Sequence, residues 1–237
     1  MKIEYHLVDY AYKRYHARLR ELAQRPEIVK VCDIGGGANP LLSTEEITKY
    51  GLDYTLLDIS SEELLKAPNQ YNKIQANIAE PELSINEKYD LVCSQFLAEH
   101  ISNAQIFHTN IFNILGKNGY AFHYFPTLYN LPFIANLVLP ESLSESILLF
   151  FHPNRKKEGK HAKFPAYYDW CLGPTPKNIS NFQKIGYEIE EYIGFFGHKY
   201  YYKIEFLDKL EASKSKLLVK YPISYLTQFA HVLLQKS

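Results

Sequence analysis

The 237-residue chain has three cysteines, one methionine and one tryptophan, and its charges cancel, with 26 Lys plus Arg against 26 Asp plus Glu. Each shortage excludes something. Cys32, Cys93 and Cys171 are odd in number, far apart and form no C-x-x-C, so no disulfide framework and no metal site are expected and the thiols read as reduced. Zero net charge offers no basic face to a phosphate backbone, so nucleic acid is not an expected partner. Long apolar runs are missing too. The most apolar stretch, Leu131 to Phe151, is broken by Pro132, Pro140, Glu141 and Glu145 and falls short of the ~18 uninterrupted residues of a membrane-spanning helix. Stable membrane insertion is therefore not expected, although this stretch could still touch a membrane surface. The opening segment, MKIEYHLVDYAYKRYH, has no apolar core of signal-peptide length, which together with the reduced thiols gives a cytoplasmic expectation. There is no internal repeat and no low-complexity linker.

What is plentiful is aromatic: 20 Tyr and 14 Phe, concentrated after position 120, a supply suited to pocket walls as well as to a core. At this length one core is the default, so residues 1–237 are read as a single domain. Residues 9–24 carry Tyr12, Tyr15, Leu19 and Leu22 near helical spacing. Five short apolar runs then read as strands: IVKVCDI (28–34), LDYTLLDIS (52–60), NKIQANI (72–78), YDLVCSQFL (89–97) and YAFHYFPT (120–127). Helical stretches lie between them, one with Ser43 and Glu46 at capping-box spacing and one, NAQIFHTNIFNILGKNG, stopped by glycine. Strands alternating with helices imply a mostly parallel sheet covered on both faces. Later, SNFQKIGYEIEEYIGF reads as a helix running into a strand and HKYYYKIEFL as a further strand. The stretch from Leu207 to Gln235 reads as helical on both sides of Pro222. Residues 127–175, rich in Pro, Tyr and Phe, are expected to form an insertion capping the ligand end of the sheet.

The stretch VCDIGGGANPLL (31–42) carries the chemistry. Gly35 and Gly37 permit positive φ and let bare backbone approach a ligand, whereas Gly36 is read as incidental. The glycines alone fit a plain strand-to-helix turn. The spacing is D-x-G-x-G, with Pro40 where a pyrophosphate-binding loop would place its last glycine. Asp58 follows ~20 residues on, where an acid can accept both hydroxyls of an adenosine ribose; Ser60 and Ser61 are better placed than Asp58 to cap the next helix. Together these features point to an adenosine-containing ligand.

In order and spacing, VCDIGGGANP, YTLLDIS, IQANI, YDLVCSQFLAEHI and LGKNGYAFHYFPT resemble the successive motifs of class I S-adenosylmethionine-dependent methyltransferases, over about residues 28–126 and more weakly beyond. The resemblance implies an α/β, Rossmann-like, seven-stranded sheet with one reversed strand near an edge, and S-adenosyl-L-methionine as cofactor. It implies that Asp33, Gly35 and Gly37 hold the methionine portion, Asp58 the ribose and Asn77 the adenine amino group. Ile59 would pack on the adenine, with Gln95 and Phe96 beside the sulfonium. Asn39 stands at the usual third glycine and Asn77 where an acid is common, which marks this loop as a variant.

His100, just past the fourth strand, is the candidate general base, matched by an ordinary imidazole pKa near ~6.5 to accepting a hydroxyl proton; it could equally only bond the following helix. Glu99 beside it could orient a ligand or cap a helix. His123 and Tyr124 alternate along a strand and so face opposite ways. Tyr124, His152, Tyr167 and Tyr168 are the candidate substrate contacts, while the lysines around 156–163 read as a solvated loop. FPAYYDWC (164–171), with the proline-rich PTLYNLPFIANLVLPE (126–141) ahead of it, resembles a segment of bacterial methyltransferases of unassigned substrate. The expected activity is methyl transfer to a small-molecule or sugar-type acceptor, more at oxygen than elsewhere. A non-catalytic cofactor- or partner-binding module and a nicotinamide oxidoreductase are the rival readings.

Overall fold

The computed structural model describes residues 1–128, 165–199 and 201–237. Apolar runs buried on both faces become the central strands: β2 (Lys30–Ile34), β3 (Asp53–Asp58), β5 (Tyr89–Gln95) and β6 (Leu115–Pro126), with the short β4 (Asn72–Gln75) beside β3. Helices start where short polar side chains satisfy the exposed N–H groups of the first turn. Ser43 caps α2 (Thr44–Tyr50) in a full capping box with Glu46, Ser60 caps α3 (Ser61–Lys66), and Asn103 caps α4 (Ala104–Ile114). Thr175 caps α5 (Pro176–Ile185), whose proline sits in the first turn and whose end is set by Gly186 at φ 115°. The chain then enters β7 (Tyr187–Phe196) as expected.

Three expectations are corrected. The sheet has eight strands, not seven, because Lys2–Leu7 forms an edge strand, β1, pairing parallel with β7 ahead of α1 (Ala11–Ala23). The tyrosine-rich stretch read as a strand from His198 instead leads into a helix, α6 (Glu205–Lys220). Beyond Pro222 the chain is not helical: a short 3-10 turn precedes β8 (Phe229–Lys236). That last strand lies between β6 and β7, antiparallel to both, and is the reversed strand of the sheet.

The order is β4-β3-β2-β5-β6-β8-β7-β1. Successive strands run outward from β2 through β3 to β4, and from β5 outward on the other side, so strand order reverses between β2 and β5. Crevices at such a reversal, outside the carboxyl ends of the strands, are where ligands bind in open α/β sheets. One apolar layer packs α4 and α5 against the sheet through Phe107, Ile111 and Phe182. The other packs α1 and α2 through Tyr15, Leu19, Leu22 and Ile47. Covered on both faces, the sheet leaves its carboxyl edge open for chemistry.

Candidate active site

The carboxyl ends of β2, β3, β4 and β5 converge. Gly35 N–H, leaving β2, donates to Leu57 O at 2.7 Å, and Ala76 N–H, leaving β4, donates to Asp58 O at 3.0 Å. Gly35 takes φ 75° and Gly37 φ 28°, the left-handed side that glycine reaches without strain. A β-carbon on Gly37 would lie 2.8 Å from Asp58 Oδ2, so the glycine loop and the second acid lie against each other. Gly36 is not incidental: a β-carbon there would lie 2.6 Å from Asp33 Oδ2. Gly36 and Gly37 press backbone onto the two acids, while Gly35 lies against the Leu97 side chain.

Asp33 is buried. Its Oδ2 accepts from Leu41 N–H at 2.8 Å and from Tyr54 O–H at 2.9 Å, while Oδ1 has no hydrogen-bond partner. Burial pushes its carboxyl up to about 7, against the pull of those two donors, and the neighbouring Asp58 adds to the rise. Asp58 Oδ1 accepts from Ser60 N–H at 2.9 Å, leaving the capping task to Ser60 as expected. Beyond the two acids, Ile59 is 61% and Phe96 41% exposed, large apolar groups left open at the crest. Phe96 also holds φ 54°, a costly conformation for a bulky residue, and its N–H donates to Tyr124 O at 2.8 Å.

Asn77 is already engaged: its Oδ1 accepts from Ala79 N–H at 3.0 Å and its amide donates to Glu80 Oε1 at 2.8 Å. The Asn39 backbone closes the glycine turn onto Gly36 O at 2.7 Å while the residue itself is exposed. Gln95 ends β5 with a buried amide oxygen, beside the half-buried His16 imidazole of α1.

After β5 the chain turns through a 3-10 turn, Ala98–His100. His100 Nδ1 lies 2.9 Å from Pro165 O; since a carbonyl only accepts, Nδ1 donates, and in the neutral ring Nε2 is then the accepting nitrogen. Glu99 is 5% exposed, with Oε2 buried and unbonded. Burial pushes it up to about 8. Its carbonyl accepts from both Tyr167 N–H (2.7 Å) and Tyr168 N–H (3.1 Å), stitching the segment from 165 onward to the turn. Tyr168 and Trp170 sit at φ 54° and 56°, further strain concentrated at this end of the sheet.

The family model that matches the chain is described as a methyltransferase domain, and it spans residues 5–191, well over half of the sequence. The chain belongs to the class I S-adenosylmethionine-dependent methyltransferases. The cradle of glycines and acids lies at the crevice where strand order reverses between β2 and β5. Phosphoethanolamine N-methyltransferase 2 of Haemonchus contortus, in complex with phosphomonomethylethanolamine and S-adenosylhomocysteine, shares the fold with TM-score 0.59 and 15% identity over 95% of this chain. The chain spans about half, 52%, of the length of that protein. An S-adenosylmethionine-dependent methyltransferase of Clostridium acetobutylicum ATCC 824 superposes with TM-score 0.57 and 13% identity, covering 95% of this chain and 92% of its own. Coclaurine N-methyltransferase bound to N-methylheliamine and S-adenosylhomocysteine gives TM-score 0.57 and 17% identity, over 97% of this chain and 74% of its own. No curated protein matches the chain significantly.

In this methyltransferase, Asp33, Gly35, Gly37, Asp58, Ile59 and Asn77 lie at the ends of β2, β3 and β4, with Gln95 and Phe96 at the end of the adjoining β5. Tyr124 is buried on the α1 side, stacked at 5.3 Å on Tyr15, whereas His123 faces α4 and bonds Ser94 Oγ at 2.8 Å, the opposite orientations that strand alternation predicts. His152, the basic run 154–163 and most of the expected cap, residues 129–164, lie outside the described residues. Sequence reading missed Tyr54, whose hydroxyl holds Asp33 from the neighbouring strand; only the β2–β3 register, Asp33 beside Leu56 and two residues beyond Val31↔Tyr54, reveals that support.

Proposed function

We propose that the chain moves the methyl group of S-adenosyl-L-methionine to a small-molecule acceptor held past the end of β5. The observation that carries this reading is the cradle itself: two acids, one with an unbonded buried oxygen, each pressed against a glycine whose added β-carbon would lie within 2.8 Å of its carboxylate, beside two exposed apolar residues. These residues fit the cofactor. Asp33 with Gly35 and Gly37 would hold the methionine portion, Asp58 the ribose hydroxyls, and Ile59 the adenine face. Asn77 would meet the adenine amino group through the second lone pair of its amide oxygen. When bound, the cofactor supplies an electrophilic methyl group on sulfur.

The protein's part is alignment, exclusion of water and handling of a proton. Gln95 and Phe96 would line the transfer path. His100, with its lone pair on Nε2, would take the proton that a hydroxyl or amine acceptor gives up. Tyr124, Tyr167 and Tyr168 would wall the acceptor. The two N-methyltransferase likenesses make nitrogen as natural an acceptor atom as the oxygen expected from sequence. Three free, buried cysteines support a reducing, cytoplasmic setting. Among the described residues no helix is long and apolar enough to cross a membrane.

Isothermal calorimetry with S-adenosylhomocysteine tests the reading. Saturable one-to-one binding is expected, and no heat at high concentration overturns it. With an acceptor found by screening small molecules for S-adenosylhomocysteine release, His100→Ala is expected to lose turnover while keeping cofactor affinity; retained turnover would remove His100 from the role of base.

A further inference from the structure

We infer that the outer face of α6 is a docking surface for an anionic lipid bilayer, on which the chain rests without crossing it. Nine of the 18 large apolar side chains that stand exposed among the described residues fall between Tyr202 and Leu226, so the apolar surface is gathered in one place. On α6 it is also ordered. Phe206, Leu210, Leu217 and Tyr221 are spaced by four, seven and four residues, which sets them on one stripe of the helix, and all are 57–74% exposed. The inward face is the polar one. Glu211 and Ser215 are buried there beside Leu218, with Glu211 accepting from Ser215 Oγ at 3.2 Å and from Lys214 Nζ at 2.6 Å. A helix held only against a core turns its apolar stripe inward; α6 turns its stripe out, which fits it to a second apolar medium.

Charge decides which medium. From Lys209 to Leu226 the chain has four lysines and one acid, Glu211, and that acid is buried. Lys209, Lys216 and Lys220 are spaced by seven and four residues and so run as a row along one side of the stripe, with Lys214 on the other. Lys209 pairs with Glu205 and Lys214 with Glu211, while Lys216 and Lys220 form no ion pair among the described residues. Apolar side chains bordered by lysines are what an interfacial helix offers: the stripe sinks among acyl chains while the lysine stems carry their charge up to lipid phosphates. Tyr221, with the Lys220 ammonium 5.2 Å over its ring, is an amphipathic side chain of the kind that settles at headgroup level. A second copy of the chain would set these lysines against themselves, and an aqueous anion would leave the stripe wet. The face is also placed for use. α6 lies over the carboxyl ends of β1 and β7, with Ser215 against Gly197, and both strands run parallel to β5 and β6. The docking face and the glycine loop therefore lie along one edge of the sheet.

The test is cosedimentation of the full chain with vesicles of equal parts phosphatidylcholine and phosphatidylglycerol, against vesicles of phosphatidylcholine alone. Binding to the anionic vesicles is expected to be at least about tenfold tighter than to the neutral ones, and to weaken as salt rises. Leu210→Ser combined with Leu217→Ser should lower that binding at least about tenfold with Tm kept within about 2 °C, since both side chains stand in solvent. Lys216→Gln combined with Lys220→Gln should remove most of the preference for anionic vesicles. No binding to the anionic vesicles, equal binding to both compositions, or binding that survives the leucine substitutions overturns the inference. A dimer in analytical ultracentrifugation that the leucine substitutions dissolve overturns it as well, because the face would then belong to a second copy. If the leucine variant does not fold, the two vesicle compositions on the unaltered protein and the lysine variant decide.

Discussion

Asp33 and Asp58 stand on neighbouring strands and do different work, because one is buried and the other borders solvent. In the proposed role Asp58 would offer its carboxylate to a ribose, and losing charge-assisted hydrogen bonds costs about 1.5–3 kcal/mol each. Asp58→Ala is therefore expected to raise the S-adenosylhomocysteine Kd about ten- to a hundredfold by calorimetry; an unchanged Kd would mean the ribose lies elsewhere. Asp33 must ionise to receive an ammonium group, yet burial holds it near about 7. Below that value proton release opposes binding, so affinity should climb as pH rises from 6 to 8, by up to about tenfold per unit on the acid side. Asp33→Asn should flatten the profile, and a flat profile in the unaltered protein would count against this role. Gly36→Ala is the steric counterpart. Its β-carbon meets a carboxylate pinned by Tyr54 and Leu41, so a destabilisation of about 1–3 kcal/mol and weakened cofactor binding are expected, read from thermal melts and calorimetry. The candidate cofactor residues could be named from sequence because each sits at a fixed offset from a strand end. The conformations of Glu99 and Phe96 were not, since burial without a partner and positive φ are properties of the folded site.

Elements differ in how much of their placement is local. The α2 start needs only Ser43 and Glu46, whose reciprocal bonds form within four residues, and the capping box appears as its spacing predicts. Ser43→Ala should cost about 1 kcal/mol and lower Tm by about 2–4 °C in a chain of this size. No change would show that the Glu46 contact to Arg20 of α1 holds the helix start alone. The strands β2 to β6 were legible because they are short apolar runs between polar turns. β8 was not: FAHVLLQK is buried on both faces, and an unbroken apolar run has no period to separate strand from helix. β1 carries two exposed residues and four half-buried ones, and becomes a strand only by pairing with β7, each residue with one 189 positions later, from Lys2↔Glu191 to Leu7↔Phe196. In α6 the tyrosines before the helix suggested β-structure by propensity. Packing overrides them, since Leu218, Ser215 and Glu211 turn inward at helical spacing.

Across the whole molecule, buried titratable groups oppose one another. His123 and His231 are pushed down to about 3 by burial, and His108 is lowered as well. Each takes up a proton in the unfolded chain below about 6.5 but not in the folded one, so each removes about 1.4 kcal/mol of stability per pH unit as pH falls through that window. Asp33 and Glu99 act in the other direction. Held near 7 and 8, they keep protons in the folded state that the unfolded chain releases above about 4.5, and stability declines as pH rises toward those values. Between about 4.5 and 6.5 these three histidines, with His16 and His198 shifted in the same direction, outweigh the two acids, and just above 6.5 the acids set the slope. Tm should therefore peak near pH 6.5 and fall on both sides, more steeply below 4.5, where the acids no longer compensate and Glu4, held near 2 by its Lys2 and His6 contacts, begins to gain protons in the unfolded chain first. The separation can be checked one limb at a time. His231 has neither ring nitrogen bonded and lies within 5.1–6.3 Å of the Tyr15, Phe122 and Phe195 rings, so His231→Phe keeps an aromatic surface while removing the titration. Its acid limb should be shallower by about 1.4 kcal/mol per pH unit. Glu99→Gln should instead make the fall in Tm above pH 6.5 shallower and the rise between about 4.5 and 6.5 steeper, leaving the limb below 4.5 unchanged. A Tm that kept rising to pH 9 would show that the buried acids are paired in solution.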